Sequence, residues 1–297
     1  MSLPRKVRRA DQGVVYDWIG TTSPANVWLL GHGATGVAAH WNGSRWSTTN
    51  LPGGRSVLVQ TGAVFRSSDA WAFGGIVPRG SRTEHPYVAR LRRGSWTQAR
   101  LPRAIAKLPV GILAASAVPS TDIWALAQQS VAISAKAQLI HWNGRRWTHL
   151  RLPAALVKDF PATVLATGPS SVWVGAQAPN GLNKYIEALW HWTASGWVKC
   201  QIPPAVAAST QGDWLAASLA RDGHGGLWVL GFEISGGQYR IWDFGGGEWV
   251  GPQTVGSGPI TIDGLVSAPR SSTVLGYGFE TGVPAQDELG VIAKYLP

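Results

Sequence analysis

The chain has 297 residues, 45% of them hydrophobic and only 14% charged, with a net charge of +10; an average soluble protein carries about 25% charged residues. Such a composition fills a sizeable core and excludes disorder as a general description. No run approaches the roughly 18 unbroken apolar residues of a membrane helix. A single cysteine, Cys200, excludes an intramolecular disulfide and any multi-cysteine metal site; no metal and no cofactor is expected.

In chain order, Met1 to Arg9 is basic, and Ala10 to Asp17 carries two aspartates and no apolar segment. As written, this is no signal peptide, so the protein is expected to be cytoplasmic, or secreted or cell-surface if a leader was removed. Val14 to Gly20 reads as a strand. Asn26-Val27-Trp28-Leu29-Leu30-Gly31 then opens a series continued at Trp71, Trp124, Trp173, Trp228 and, weakened, at Leu275. The steps are 43, 53, 49, 55 and 47 residues, a mean of about 49, which is the length of one four-stranded propeller blade.

After each of the first five copies comes a β-hairpin signature, such as His40-Trp41-Asn42-Gly43-Ser44-Arg45-Trp46 and His141-Trp142-Asn143-Gly144-Arg145-Arg146-Trp147. Asn-Gly supplies the positive φ angles of a tight turn between twisted strands. Four units run on to Leu51-Pro52, Leu101-Pro102, Leu152-Pro153 or Ile202-Pro203, where proline ends the outer strand. Between these stops and the next Trp copy lie apolar, β-prone runs such as Ser56 to Val64, suited to strands buried on both faces. Thirteen of the seventeen tryptophans fall on repeat positions and read as spacers between stacked sheets. The fold class is all-β: one β-propeller over residues 1–297, of six four-stranded blades, or seven if residues upstream were lost. Residues 4–12 are a candidate outer strand for the sixth blade.

Trp71-Ala72-Phe73-Gly74-Gly75, with Trp96 and Leu101-Pro102, resembles the kelch and galactose-oxidase type of propeller repeat. Asp222-Gly223-His224-Gly225-Gly226-Leu227-Trp228 looks like the Asp-Gly-rich repeat of bacterial propellers. The likeness implies a Trp-rich propeller repeat protein of bacterial type. Galactose oxidase chemistry is not implied, because no tyrosine and histidine arrangement accompanies Cys200.

The loops from second to third strand vary most, and variable loops on a rigid frame are where specificity resides. His32, His85 and Tyr87 lie in or beside two of them; Tyr185, Trp190, Tyr239 and Trp242 border two others, as an aromatic platform for a sugar or planar ligand. His40, His141 and His191 share one repeat slot, too far apart between blades to ligate one ion. Asp69 and Asp122, before the Trp motif, are expected to cap the preceding turn through the backbone. Asp17, Asp213 and Asp263 fall in or beside inner strands.

Residues 1–151 hold 16 Arg and 3 Lys against 5 acids, a net +14; residues 152–297 hold 3 Arg and 4 Lys against 11 acids, a net −4. The hairpin arginines Arg45, Arg92, Arg93, Arg145 and Arg146 offer an anionic surface a docking place. Specific nucleic-acid binding is not expected, because no recognition motif is present. The function expected is non-enzymatic binding of a protein or glycan partner through the variable loops on one rim; Trp190→Ala and Trp242→Ala would then lose binding without unfolding. The alternative is a propeller enzyme, a lyase, isomerase or hydrolase, with an axial pocket using His32 or His85 and an inner-strand acid such as Asp17. An off-repeat histidine within about 3 Å of such a carboxylate puts the enzyme first.

Overall fold

The computed structural model describes residues 14–128, 137–179, 185–200, 214–233, 238–245, 247–255, 260–267, 274–280 and 290–295. The chain divides into two compact units, Met1–Leu152 and Pro153–Pro297, and the described residues of each form three antiparallel sheets.

In the first unit the sheets are β1 (Val15–Ser23), β2 (Asn26–His32), β3 (Gly36–Trp41) and β4 (Trp46–Asn50); β5 (Val57–Arg66), β6 (Asp69–Ile76), β7 (His85–Arg92) and β8 (Ser95–Gln98); β9 (Gly111–Ala117), β10 (Ile123–Gln128), β11 (Gln138–Trp142) and β12 (Trp147–Leu150). The second unit holds β13 (Pro161–Gly168), β14 (Ser171–Pro179), β15 (Tyr185–Thr193) and β16 (Gly196–Cys200); β17 (Trp214–Arg221), β18 (Leu227–Glu233), β19 (Gln238–Gly245) and β20 (Glu248–Val255); and the three-stranded β21 (Ile260–Ser267), β22 (Val274–Glu280) and β23 (Gly290–Tyr295). Every sheet is a meander with its strands in sequence order, which is the topology of a propeller blade. The expected strand at residues 4–12 lies outside the described residues.

The Trp of each second strand is core: Trp28, Trp71, Trp124, Trp173 and Trp228 are all buried. Trp28 meets Trp96 of the next sheet edge to face at 5.8 Å, and Trp71 meets Trp147 in the same way at 5.9 Å. Indoles of one sheet therefore interlock with those of its neighbour within the first unit, a favoured aromatic geometry. The Trp of third and fourth strands are mostly half-buried, with Trp147 buried.

The Leu-Pro stops also start something. The outer strands end one to three residues earlier, and Pro102 and Pro153 lead into single-turn helices, α1 (Arg103–Ala106) and α2 (Ala154–Lys158). Proline's fixed φ suits a helix start. Each turn drives one side chain, Ile105 or Leu156, into the core.

Candidate functional site

The first strand of every sheet carries one unpaired extra residue at the same register, against the end of the second strand. In chain order these bulged residues are Asp17, Gln60, Leu113, Ala162, Ala217 and Asp263. A bulge re-aims the side chain it carries and bends the strand. The Gly of the repeat explains how the strands close on the bulge: a β-carbon on Gly31 would lie 1.9 Å from the carbonyl oxygen of Val15, and one on Gly74 1.9 Å from that of Leu58. In each sheet the first strand begins and the second ends beside the second-to-third-strand loop, so in the first unit the polar bulge residues Asp17 and Gln60 lie at the rim that carries those loops.

Asp17 is the first of them, and its Oδ2 lies 2.9 Å from Nδ1 of His32 at the end of β2. The carbonyl oxygen of Val59 on β5 stands 3.4 Å from the same nitrogen. Both neighbours are acceptors, so Nδ1 carries the proton and Nε2 is left as the basic nitrogen. Each side chain is 30% exposed. Burial raises the Asp17 pKa above the ordinary carboxylate value, opposed by the attraction and hydrogen bond of His32.

Across the adjoining sheets of the same unit the rim continues polar. Gln60, the bulge of β5, has a buried Oε1 to which no described residue donates, as do Glu84 before β7 and Gln128 at the end of β10. Glu84 lies over Gly75 and Gly111, whose absent β-carbons leave its carboxyl room, and burial raises its pKa. A buried acceptor without a donor costs stability; these three oxygens are shut from solvent, so a ligand's donor reaches them only when the side chains turn outward.

The remaining expected residues divide by burial. His85, half-buried, joins Nδ1 to the carbonyl oxygen of Leu108 at 2.9 Å, and among the described residues no carboxylate pairs with it. Tyr87 is wholly buried, its hydroxyl donating to the Pro52 carbonyl at 2.6 Å. Trp190, Tyr239 and Trp242 are buried as well, and Trp190 donates Nε1–H to Asp159 at 2.9 Å. These rings are core packing where the sequence suggested an exposed platform. Tyr185 opens β15; its side chain, and four of the six variable loops in part or whole, lie outside the described residues, as does Asp213.

Aligning third strands gives the reason: Ala39, Ala89, Ile140, Trp190 and Trp242 occupy one slot, each directly before the slot of His40, Arg90, His141, His191 and Asp243, and all five are buried. They looked irregular because the slot takes any apolar residue. The histidine slot is equally regular. His40, His141 and His191 stack on Trp28, Trp124 and Trp173 at centroid distances of 4.1, 3.9 and 3.7 Å, and their Nε2 atoms reach Asn26, Asp122 and Ser171 at 2.8, 2.7 and 2.9 Å. In the second sheet Arg90 replaces histidine, 4.5 Å over Trp71 and paired with Asp69. The side chains of Asp69 and Asp122 thus reach across strands to Arg90 and His141, while the Asp122 backbone closes the preceding turn, its N–H donating to the Pro119 carbonyl at 3.0 Å.

Among the described residues no cluster of three or more His, Cys, Asp or Glu could hold a metal ion, and no helix is long and apolar enough to cross a membrane. The hairpin arginines Arg45, Arg92, Arg93, Arg145 and Arg146 are exposed on the rim opposite the variable loops.

No family model matches the chain, and no curated protein matches it in sequence. Solved structures do resemble it. YCF48 bound to a D1 peptide aligns at a TM-score of 0.51 with 15% identity, over 78% of this chain and 63% of the YCF48 chain, so the chain spans less than two thirds of that protein. The β-propeller domain of Cps50 (Swd1) from Myceliophteria thermophila aligns at 0.52 with 13% identity, over 90% and 79%. A glucose dehydrogenase aligns at 0.56 with 10% identity, over 96% and 99%. With the repeated four-stranded meanders, these likenesses identify the fold as a β-propeller. They include binding proteins and enzymes alike, and so leave the activity to the site.

Proposed function

We propose that the six sheets are the blades of one propeller that takes a polar ligand of the glycan class onto the variable-loop rim of its first three blades, and that His32 and Asp17 act on it by acid–base chemistry. The observation carrying this reading is the 2.9 Å Asp17–His32 pair, which meets the distance set for preferring an enzyme. Unlike the other histidine pairs, it stands off the repeat and stacks on no Trp; it sits at a bulge and keeps an open side. Asp17 holds the imidazole by Nδ1–H, and Nε2 is the base that withdraws a proton from the ligand. Glu84, its carboxyl favoured in the neutral form by burial, is a proton donor on the same rim. Gln60 and Gln128 orient hydroxyl groups. In an elimination, Nε2 takes the C–H proton beside the departing oxygen, the electron pair forms the double bond as the C–O bond breaks, and the Glu84 carboxyl protonates the leaving oxygen.

The second reading is binding without turnover, of a glycan or a protein segment, on the same rim. The three buried acceptors on that rim favour it, since they serve recognition whether or not chemistry follows. One experiment separates the two. Wild type, His32→Asn and Asp17→Asn are applied to a glycan array, and each captured ligand is incubated with protein and weighed by mass spectrometry. The catalytic reading expects all three proteins to bind and the variants to convert ligand about 10²- to 10⁴-fold more slowly. Capture with no mass change in wild type leaves binding alone, and no capture by any protein overturns the catalytic reading and leaves only a protein segment as the ligand of the rim.

A further inference from the structure

On the opposite rim of the first unit, the turn between β5 and β6 and the hairpin between β7 and β8 border an open-sided cavity of about 180 Å³ lined by Arg66, Ser68, Asp69, Arg92 and Arg93. Arg66, Asp69 and Arg92 stand in one row across three strands, Arg66 paired with Asp69 and Asp69 with Arg92. The single acid in the row is already neutralised: Arg90 grips both oxygens of Asp69, Nε to Oδ1 at 3.1 Å and Nη2 to Oδ2 at 3.3 Å. Asp69 is buried, while Arg66, Arg92 and Arg93 make no ion pair among the described residues.

Arg66, Arg92 and Arg93 are all exposed, and the repulsion among like charges gathered at one place is relieved by an anion bound between them. The turn adds a second, independent observation. Arg93 has φ 50°, in the left-handed region, and the two-residue turn Arg93-Gly94 thus has positive φ at both positions. Gly accepts that conformation at less cost, and the residues at the place of Arg93 in the first and third sheets are Gly43 and Gly144, both at positive φ. An arginine kept in a strained turn at the mouth of a cavity is placed there by what it touches.

We propose that this cavity is an oxoanion site for a soluble phosphate monoester, separate from the loop-rim site and independent of the reading given for it. Arg66 and Arg93 present planar forks that match phosphate oxygens two at a time, Arg92 adds the third positive charge, and the Ser68 hydroxyl donates to a remaining oxygen. The volume admits the phosphoryl group with part of the sugar or alcohol that bears it, which suits a small molecule more than a flat membrane.

The test is calorimetric titration of the full chain with inorganic phosphate, then with a sugar phosphate and the same sugar unphosphorylated. Phosphate and the sugar phosphate are expected to bind, and the free sugar not. Arg66→Gln and Arg93→Gln are each expected to weaken phosphate about tenfold, the loss of one charge-assisted contact. Arg93→Gly removes the strain of the turn, so its midpoint of unfolding stays or rises while phosphate binding still falls; a structural arginine would show the reverse. Arg45→Gln, on a neighbouring hairpin, is expected to leave affinity unchanged. Equal losses from Arg45→Gln and Arg93→Gln would reduce the site to diffuse charge and overturn the proposal. So would binding seen only with vesicles containing phosphatidic acid and not with soluble phosphate.

Discussion

Glu84 fills the space that Gly75 leaves: a β-carbon on Gly75 would fall 1.7 Å from its Oε1. The obstructing atom ends a flexible side chain, so the clash is relieved by swinging the carboxyl away, with the strands left in place. Gly75→Ala is therefore expected to change the midpoint of thermal unfolding little, while weakening any ligand captured by the loop rim as much as Glu84→Ala does. A variant that binds as wild type would remove Glu84 from the site.

The preceding glycine gives the opposite result. On Gly74 the β-carbon would meet the Leu58 carbonyl oxygen at 1.9 Å, and that atom belongs to the paired strand. Accommodating it moves β5 against β6, at a cost of about 1–3 kcal/mol by the usual scale of overpacking. Chemical denaturation of Gly74→Ala beside Gly75→Ala measures the contrast, and equal stability of the two would contradict the close strand approach. Ala127 and Ala176 stand at the corresponding place in the third and fourth sheets, so the approach must be looser there.

Repeats are legible because packing demands the same residue types at the same radius, and the Trp of the second strand announced every sheet but the last. The Asp17–His32 partnership was legible as an option, since both residues stand off the repeat near the start of β1 and the end of β2. The bulge that turns Asp17 was not, because an extra backbone residue leaves no mark in composition. The aromatic platform misled for a related reason. Trp242 fills a slot that holds Ala39 in the first sheet, and a slot defined only by volume shows no identity to align. Trp242 is completely buried, so Trp242→Ala is expected to destabilise the protein by about 3–5 kcal/mol and lower binding only through unfolding. A folded variant of near-native stability that fails to bind would restore the ring to the ligand site.

The stacked slot invites a test of its own. His141 lies on Trp124 and reaches Asp122, itself 8% exposed, at 2.7 Å. His141→Ala removes the stack and strands a mostly buried carboxylate, for which the expected loss is about 2–4 kcal/mol. Adding Asp122→Asn to it should recover part of that loss, since the neutral amide tolerates burial better. A double variant less stable than the single one would show that the carboxylate is satisfied from elsewhere.

Acid should act on the same slot in the other sheets. Burial lowers the pKa of His40 and of His191 below the ordinary histidine value, so each is held neutral against Trp28 or Trp173 while the unfolded chain binds protons near the usual value of about 6.5. Where the unfolded state binds more protons, stability falls as pH falls. The contribution of these two residues is thus whole above the unfolded value and is lost as pH drops through it toward the folded values. The raised carboxyls of Asp17, Glu84 and Asp243 work in the other sense: each adds stability as pH falls through its raised folded value, and the gain is complete below the unfolded carboxylate value of about 4. Between about pH 7.5 and 5.5 the histidine part lowers the thermal midpoint, and it is read as the difference between wild type and a variant lacking both imidazoles. In the pair His40→Gln and His191→Gln the decline should flatten, because glutamine has no proton to gain. A wild type that loses less stability on acidification through about 6.5 than the glutamine pair does would mean that the stacked imidazoles take up protons more readily than the unfolded chain, and would reverse the electrostatic account of the slot.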